Sequence, residues 1–104
     1  MRFEVRFSAT AEDDLDRLFD YLLGRAETID ELDLARAAIE AVRLAMGTQL
    51  AATPYSFRKA GKSPTRRELI IPFGASGYLA LYEIASPSKV LALAVRHQRE
   101  EDYL

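Results

Sequence analysis

Val90-Leu91-Ala92-Leu93-Ala94-Val95 runs six apolar residues without a break. It then turns at once into Arg96-His97-Gln98-Arg99-Glu100-Glu101-Asp102-Tyr103. Apolar side chains on both faces of so short a run are the mark of a strand buried on both sides. The abrupt polar switch carries the chain's single histidine, set between two arginines, to the rim of that sheet.

Upstream of this strand the period is two from Arg67 onward. Leu69, Ile71 and Phe73 point one way, and Gly74-Ala75-Ser76-Gly77 supplies a hairpin turn. Tyr78, Ala80, Tyr82 and Ile84 then alternate with Leu79, Leu81 and Glu83, which places both tyrosines on the core side. Ser86-Pro87-Ser88-Lys89 makes a second turn with proline at its favoured second position. Three strands in a meander follow.

Further toward the N-terminus the period is 3.6. Ala11, Leu15, Leu18, Phe19 and Leu22 form one helical stripe, opened by Ser8 or Thr10 as cap and closed near Gly24. The acids from Glu12 to Asp20 read as its solvated face, and the earliest of them favour the positive end of the helix dipole. A second helix restarts near Thr28 or Asp30 on Ala35, Ala38, Ile39, Val42, Ala45 and Met46. Gly47 weakens it and Pro54 stops it. The short link between the helices predicts an antiparallel hairpin. Before both, Phe3, Val5 and Phe7 alternate with Arg2, Glu4 and Arg6 as a half-buried strand. The expected class is α+β: N-terminal strand, helical hairpin, three-stranded antiparallel meander, helices on one sheet face.

With 104 residues, 49% apolar and 29% charged, residues 1–104 form one globular domain with a single core. The absence of cysteine excludes disulfides and thiolate metal sites. One histidine, with no EF-hand or HExxH spacing, predicts no metal and no cofactor. No apolar run approaches the roughly 20 residues of a membrane span. Arg2, Glu4 and Arg6 interrupt any apolar leader, so the expected location is cytoplasmic, away from membranes.

The net charge of −2 hides an uneven distribution. Residues 1–50 hold six Lys/Arg against eleven Asp/Glu, and residues 51–104 hold eight against five. Arg58, Lys59, Lys62, Arg66 and Arg67 crowd between Tyr55 and Arg67 without an acid. Tyr55 to Thr65 reads as an irregular basic loop. It lacks the glycines of a phosphate cradle, so these cations are surface charges that a loop positions.

Five segments stand out in this order: Phe7-Ser8-Ala9-Thr10-Ala11-Glu12-Asp13-Asp14-Leu15, Phe19-Asp20-Tyr21-Leu22, the Pro54-to-Arg58 connection, Gly77-Tyr78-Leu79-Ala80-Leu81-Tyr82 and Val95-Arg96-His97-Gln98-Arg99-Glu100. Together they resemble the RelE/ParE superfamily of toxins from bacterial type II toxin–antitoxin (plasmid-stabilisation) modules. The likeness spans nearly the whole chain, and its specificity lies in the joint order rather than in any one segment.

The resemblance implies a toxin held inactive by a cognate antitoxin that lies against the helical hairpin and sheet. Leu15, Leu18, Phe19 and Leu22 are the expected antitoxin contacts, and Arg58, Lys59, Arg66 and Arg96 the expected target contacts. ParE-like members poison DNA gyrase. RelE-like members cleave messenger RNA on the ribosome. Neither implies a small-molecule substrate.

Cleavage through the 2′-hydroxyl needs a base, a cation for the phosphorane and an acid for the leaving oxygen. His97 would serve as base or acid, Arg67, Arg96 or Arg99 as phosphate stabiliser, and Tyr103 as stacking or proton-donating group. That set requires the strand end at His97 to lie close to Arg66 and Arg67. The alternative for Arg96 and Arg99 is salt bridging to Glu100, Glu101 and Asp102, and for Tyr103 packing on the sheet edge. RelE-like enzymes usually place a basic residue ahead of the Gly-Tyr pair, whereas Pro72-Phe73-Gly74-Ala75-Ser76 holds none. The pI near 5.4 is also low for docking on ribosomal RNA, so gyrase inhibition is the expected activity.

Overall fold

The structure, a computed structural model, describes residues 2–103. Strand β1 (Glu4–Phe7) leads into helix α1 (Ala9–Arg25), and helix α2 (Ile29–Ala52) follows. A 3₁₀ turn at Pro54–Ser56 and a short strand β2 (Arg58–Lys59) come next, then β3 (Arg66–Phe73), β4 (Ser76–Ser86) and β5 (Lys89–His97). The class is α+β, with the hairpin packed on one face of the sheet.

The helix starts follow from their caps. Ser8 Oγ accepts from Ala11 N and Thr28 Oγ1 from Glu31 N, each satisfying an orphan donor of a first turn. Helix α1 runs one residue past Gly24, and α2 continues through Gly47 until Pro54 ends it.

The sheet order is β1-β5-β4-β3-β2. Strand β1 pairs parallel with β5, Val5 opposite Val90, while every other pairing is antiparallel. The 54–65 segment corrects the sequence reading of a wholly irregular loop, because Arg58 pairs with Glu68 and Lys59 with Arg67, adding an edge strand. Two residues show no periodicity, so this strand is defined only by its partner.

Between Leu81–Ala94 and Tyr82–Ala92 the register of β4 against β5 shifts, which leaves Leu93 as an extra residue, a β-bulge. Before the bulge Val90 and Ala92 face the helices; after it Val95 does. The core therefore gathers Leu69, Ile71, Tyr78, Ala80 and Tyr82 from the sheet beneath Leu15, Leu18, Val42, Met46 and Leu50.

Where β1 stops at Phe7, the edge of β5 would be bare. Helix α1 covers it. Ser8 N donates to Ala92 O and Ser8 Oγ to Leu93 O, both at 2.9 Å. Val95 N donates to Asp14 Oδ2 at 2.8 Å, and Arg17 Nη2 reaches Val95 O at 3.4 Å. These contacts satisfy backbone groups that would otherwise be buried without partners.

Candidate functional site

The register sorts the candidate residues onto two faces. Arg58, Glu68, Leu81 and Ala94 lie in one cross-strand row on the face away from the helices. The adjoining rows of that open face are Arg66–Glu83–Leu91 and Ile70–Leu79–Arg96. On the helix face the matching rows are Arg67–Tyr82–Ala92 and Ile71–Tyr78–His97.

The open face forms a shallow cleft of about 650 Å³, lined by Arg58, Lys59, Lys62, Arg66, Arg96 and Tyr103 among others. All four residues expected to contact a target, Arg58, Lys59, Arg66 and Arg96, therefore border one cleft. Glu68 lies within it and is held from two sides. Arg58 donates to its Oε1 through Nε and Nη2, and the Tyr103 hydroxyl donates to its Oε2. Burial opposes ionisation of Glu68, but the hydrogen bonds from Tyr103 and Arg58 and the charges of Arg58 and Arg96 outweigh it. Its carboxyl stays below its ordinary pKa. Burial and the neighbouring Glu68 raise the Tyr103 phenol, which remains a donor rather than a base.

The segment after β5 folds back to bring Tyr103 there. Arg96 lies 5.2 Å from the Tyr103 ring centroid, and its Nη1 donates to the backbone oxygen of Glu100. Arg17, not Arg96 or Arg99, forms the ion pair with Glu100, Nη1 to Oε1 at 2.6 Å. Glu100 Oε2 also accepts from His97 N at 3.1 Å. Burial works against this carboxylate's ionisation, yet the Arg17 bond and charge hold its pKa below the usual value.

His97 opens on the other side. Its Nε2 is 3.1 Å from Ser76 Oγ, and its Nδ1 accepts from Arg99 N at 3.1 Å. An accepting Nδ1 places the ring proton on Nε2, which donates to Ser76, so the hydroxyl is not activated as a nucleophile. The ring also meets Tyr78 edge to face at 5.2 Å. Here two clefts of about 370 and 570 Å³ meet between the hairpin and the sheet, sharing Leu22, Arg25, Tyr78 and His97.

The four residues expected to cleave RNA are thus not assembled. His97 and Arg99 adjoin, but Tyr103 lies on the opposite face of the sheet. Arg67 stands level with Tyr82 and His97 level with Tyr78, four residues along β4, or roughly 13 Å at a strand's rise. The expected closeness of the β3 start to the β5 end fails for a simple reason. Two strands each antiparallel to β4 run in the same direction, so the start of one is far from the end of the other. Arg67 instead donates to Phe57 O at 2.6 Å beside the Tyr55 ring, bracing the turn that precedes β2.

Among the described residues, no cluster of three or more His, Cys, Asp or Glu side chains is placed to hold a metal ion. No helix among them is long and apolar enough to cross a membrane.

Comparison with known proteins fits this architecture. The family described as ParE toxin of type II toxin–antitoxin system, parDE, matches residues 5–102. The chain belongs to the ParE toxin family. No curated protein matches it in sequence. Among solved structures, a chain of the chromosomal ParDE toxin–antitoxin system from P. aeruginosa superposes with a TM-score of 0.69 at 12% identity, covering 92% of this chain and 96% of that one. A chain of the toxin–antitoxin complex RelBE2 from Mycobacterium tuberculosis superposes with a TM-score of 0.63 at 21% identity, covering 94% and 100%. Identities this low speak for the shared fold.

In this ParE-family toxin the expected antitoxin contacts divide. Leu15 and Leu18 are buried in the core, and of the two only Leu18 is among the residues lining the cleft of about 570 Å³. A helical stripe found by periodicity is the face that a helix keeps for its own protein. Phe19 and Leu22 are half-buried; exposed Leu34 lines one cleft with Leu22, exposed Tyr21 lines the adjoining one, and Ile29 and Leu32 are further exposed apolar residues at the start of α2. Sequence periodicity missed Ile29, Leu32 and Leu34. They sit off the stripe of α2, and an apolar residue off the stripe was the available signal.

Proposed function

We propose that this protein is the toxin of a toxin–antitoxin pair, neutralised by a cognate antitoxin, and that it acts by inhibiting DNA gyrase. The observation that carries the second half is the separation of His97 from Tyr103 and Arg67. RNA cleavage asks for base, acid and cation around one phosphodiester within hydrogen-bond reach. A protein that works by occupying a surface on a larger protein asks for no such convergence.

Purified protein added to a gyrase supercoiling reaction should inhibit it, and a translating ribosome extract in parallel should give no codon-position cleavage by primer extension. Cleavage with untouched supercoiling would reverse the reading in favour of a ribosome-dependent RNase. His97→Ala should leave gyrase inhibition within about twofold, whereas the loss of a general acid or base costs on the order of 100-fold or more.

For the antitoxin, the reading is supported by apolar surface beside the cleft that Leu22 and Leu34 line. Leu34, on that cleft, is 58% exposed, and Tyr21, on the adjoining one, is 59% exposed. A lone exposed leucine is ordinary; several next to a cleft mark a contact surface. Leu34→Glu should weaken binding of the cognate antitoxin at least tenfold, about 1.4 kcal/mol. The melting temperature should stay unchanged. Unaltered affinity in a titration would place the antitoxin elsewhere.

A further inference from the structure

We propose that this chain pairs with a second copy of itself through the outer face of α2, with Leu44 of each copy seated over Gly47 of the other. That face shares no lining residue with the clefts beside Leu22 and His97. The inference goes beyond gyrase inhibition and antitoxin binding and stands or falls separately from both.

Gly47 sits inside α2, where glycine is less favourable than alanine. Its own chain supplies no reason for it. Its φ is not positive, and a Cβ built there would meet nothing within 4 Å. The missing side chain instead opens a shallow notch of about 460 Å³, bordered by Arg2, Glu40, Arg43, Leu44 and Thr48. Leu44, one turn before the glycine, is 70% exposed. An exposed leucine by itself is ordinary. An apolar side chain standing beside an open notch is self-complementary, and self-complementarity of one patch is what a two-fold interface requires. Gly47 and Thr48 are small enough to let two helix axes approach to about 8 Å.

Charge points to the same register. Reciprocal seating of Leu44 on Gly47 requires the two α2 helices to run antiparallel about the two-fold axis. Four residues, about 6 Å of helix, lead from Leu44 back to Glu40, and four lead from Gly47 on to Ala51. Glu40 therefore comes level with Ala51 of the second copy. Phe3 N donates to Ala51 O at 2.8 Å, which brings the preceding Arg2 to that end of the notch. Neither Glu40 nor Arg2 has an ion-pair partner among the described residues, whereas Arg43 is already held by Glu12. The register that fills the notch thus pairs Glu40 with Arg2 of the second copy, and symmetry makes that pair twice. One helix face per copy is a small contact, so the association belongs to the weak, concentration-dependent class.

Sedimentation velocity of the full-length chain, from about 10 μM to about 1 mM, reads the association directly. The wild-type protein should move from monomer toward dimer across that range. Leu44→Glu should weaken dimerisation at least about tenfold and leave the circular-dichroism spectrum unchanged. Gly47→Ala separates pairing from folding. It should raise the melting temperature of the dilute monomer, as helix propensity dictates, and yet weaken dimerisation. Glu40→Arg and Arg2→Glu should each weaken dimerisation, and the two together should restore it. A chain that stays monomeric to about 1 mM overturns the proposal, as does Gly47→Ala pairing as tightly as wild type. Charge reversals that fail to rescue one another overturn the register. Loss of antitoxin affinity in Leu44→Glu would give this face to the antitoxin instead, whereas unchanged affinity keeps the two surfaces separate. A failure to inhibit gyrase would leave these outcomes intact.

Discussion

Asp14 is one of nine acids from Glu12 to Asp33, yet it is only 4% exposed. Its Oδ2 takes the Val95 N–H at 2.8 Å, and Arg17 stands 3.7 Å from Oδ1. Removing it leaves a buried donor on β5 without an acceptor and one side of Arg17 unpaired. Asp14→Ala should therefore cost about 2–3 kcal/mol, while Asp14→Asn, which can still accept, should cost about half that. Urea unfolding of the two variants checks the ratio as well as the size. The sequence did carry a signal that the reading of a solvated acidic face passed over. Asp14 falls three residues after Ala11 and four before Leu18, on the apolar stripe itself. A carboxylate on a buried stripe has to find a partner, and here the partner is backbone. Tyr82 poses the same question with an easier answer. Its position on the core face was legible from the period of two, but nothing local names Pro54 O as the acceptor of its hydroxyl.

The elements themselves were legible because each is long enough to show its period: α1, α2, β3, β4 and β5 all emerge from spacing alone. Their relations were less so. The bulge at Leu93 is invisible in Val90–Val95 because a run apolar on both faces gives the same pattern in either register. Yet that one residue decides that His97 faces the helices and Arg96 the open cleft. Hence the sequence revealed the basic residues without revealing which of them would meet. The β3–β4 hairpin offers a test at the same scale. Gly74 has φ +60°, and with Ala75 it forms a two-residue loop between Phe73 and Ser76, as a II′ turn requires. Gly77 has no such conformation, but a Cβ there would lie 2.5 Å from Ile71 O and 3.2 Å from Pro72 Cα. Both neighbours are backbone, so the strands must part. Gly74→Ala should cost about 1 kcal/mol, whereas Gly77→Ala, which disturbs the hairpin pairing, should cost more than about 2 kcal/mol. Equal melting temperatures for the two variants would refute this account of the hairpin.

Across the whole molecule, three carboxylates fasten parts that are distant in sequence. Glu12 joins α1 to Arg43 of α2, Glu68 joins β3 to Arg58 of β2 and to Tyr103, and Glu100 ties the C-terminal segment to Arg17 of α1. All three hold pKa values below the ordinary carboxylate range, Glu12 chiefly through its Arg43 hydrogen bond. A depressed folded pKa contributes stability that is complete above the unfolded value and is lost as pH falls through the folded one. The urea midpoint should accordingly be level from neutrality to about pH 5 and fall below that. The contributions are unequal. The Glu12 side chain is 43% exposed and its pair is screened by solvent, whereas Glu68 is 12% exposed. Glu68→Gln should flatten the acid limb more than Glu12→Gln does. At the alkaline end the sign reverses. Burial pushes the Tyr82 phenol up to about 12, so its neutral form stabilises the fold below the unfolded value and that support fades as pH rises from about 10 toward 12. Midpoints measured at successive pH values should therefore trace a plateau with two shoulders. A midpoint constant to about pH 3 would mean that these ion pairs contribute nothing to holding the hairpin, sheet and C-terminal segment together.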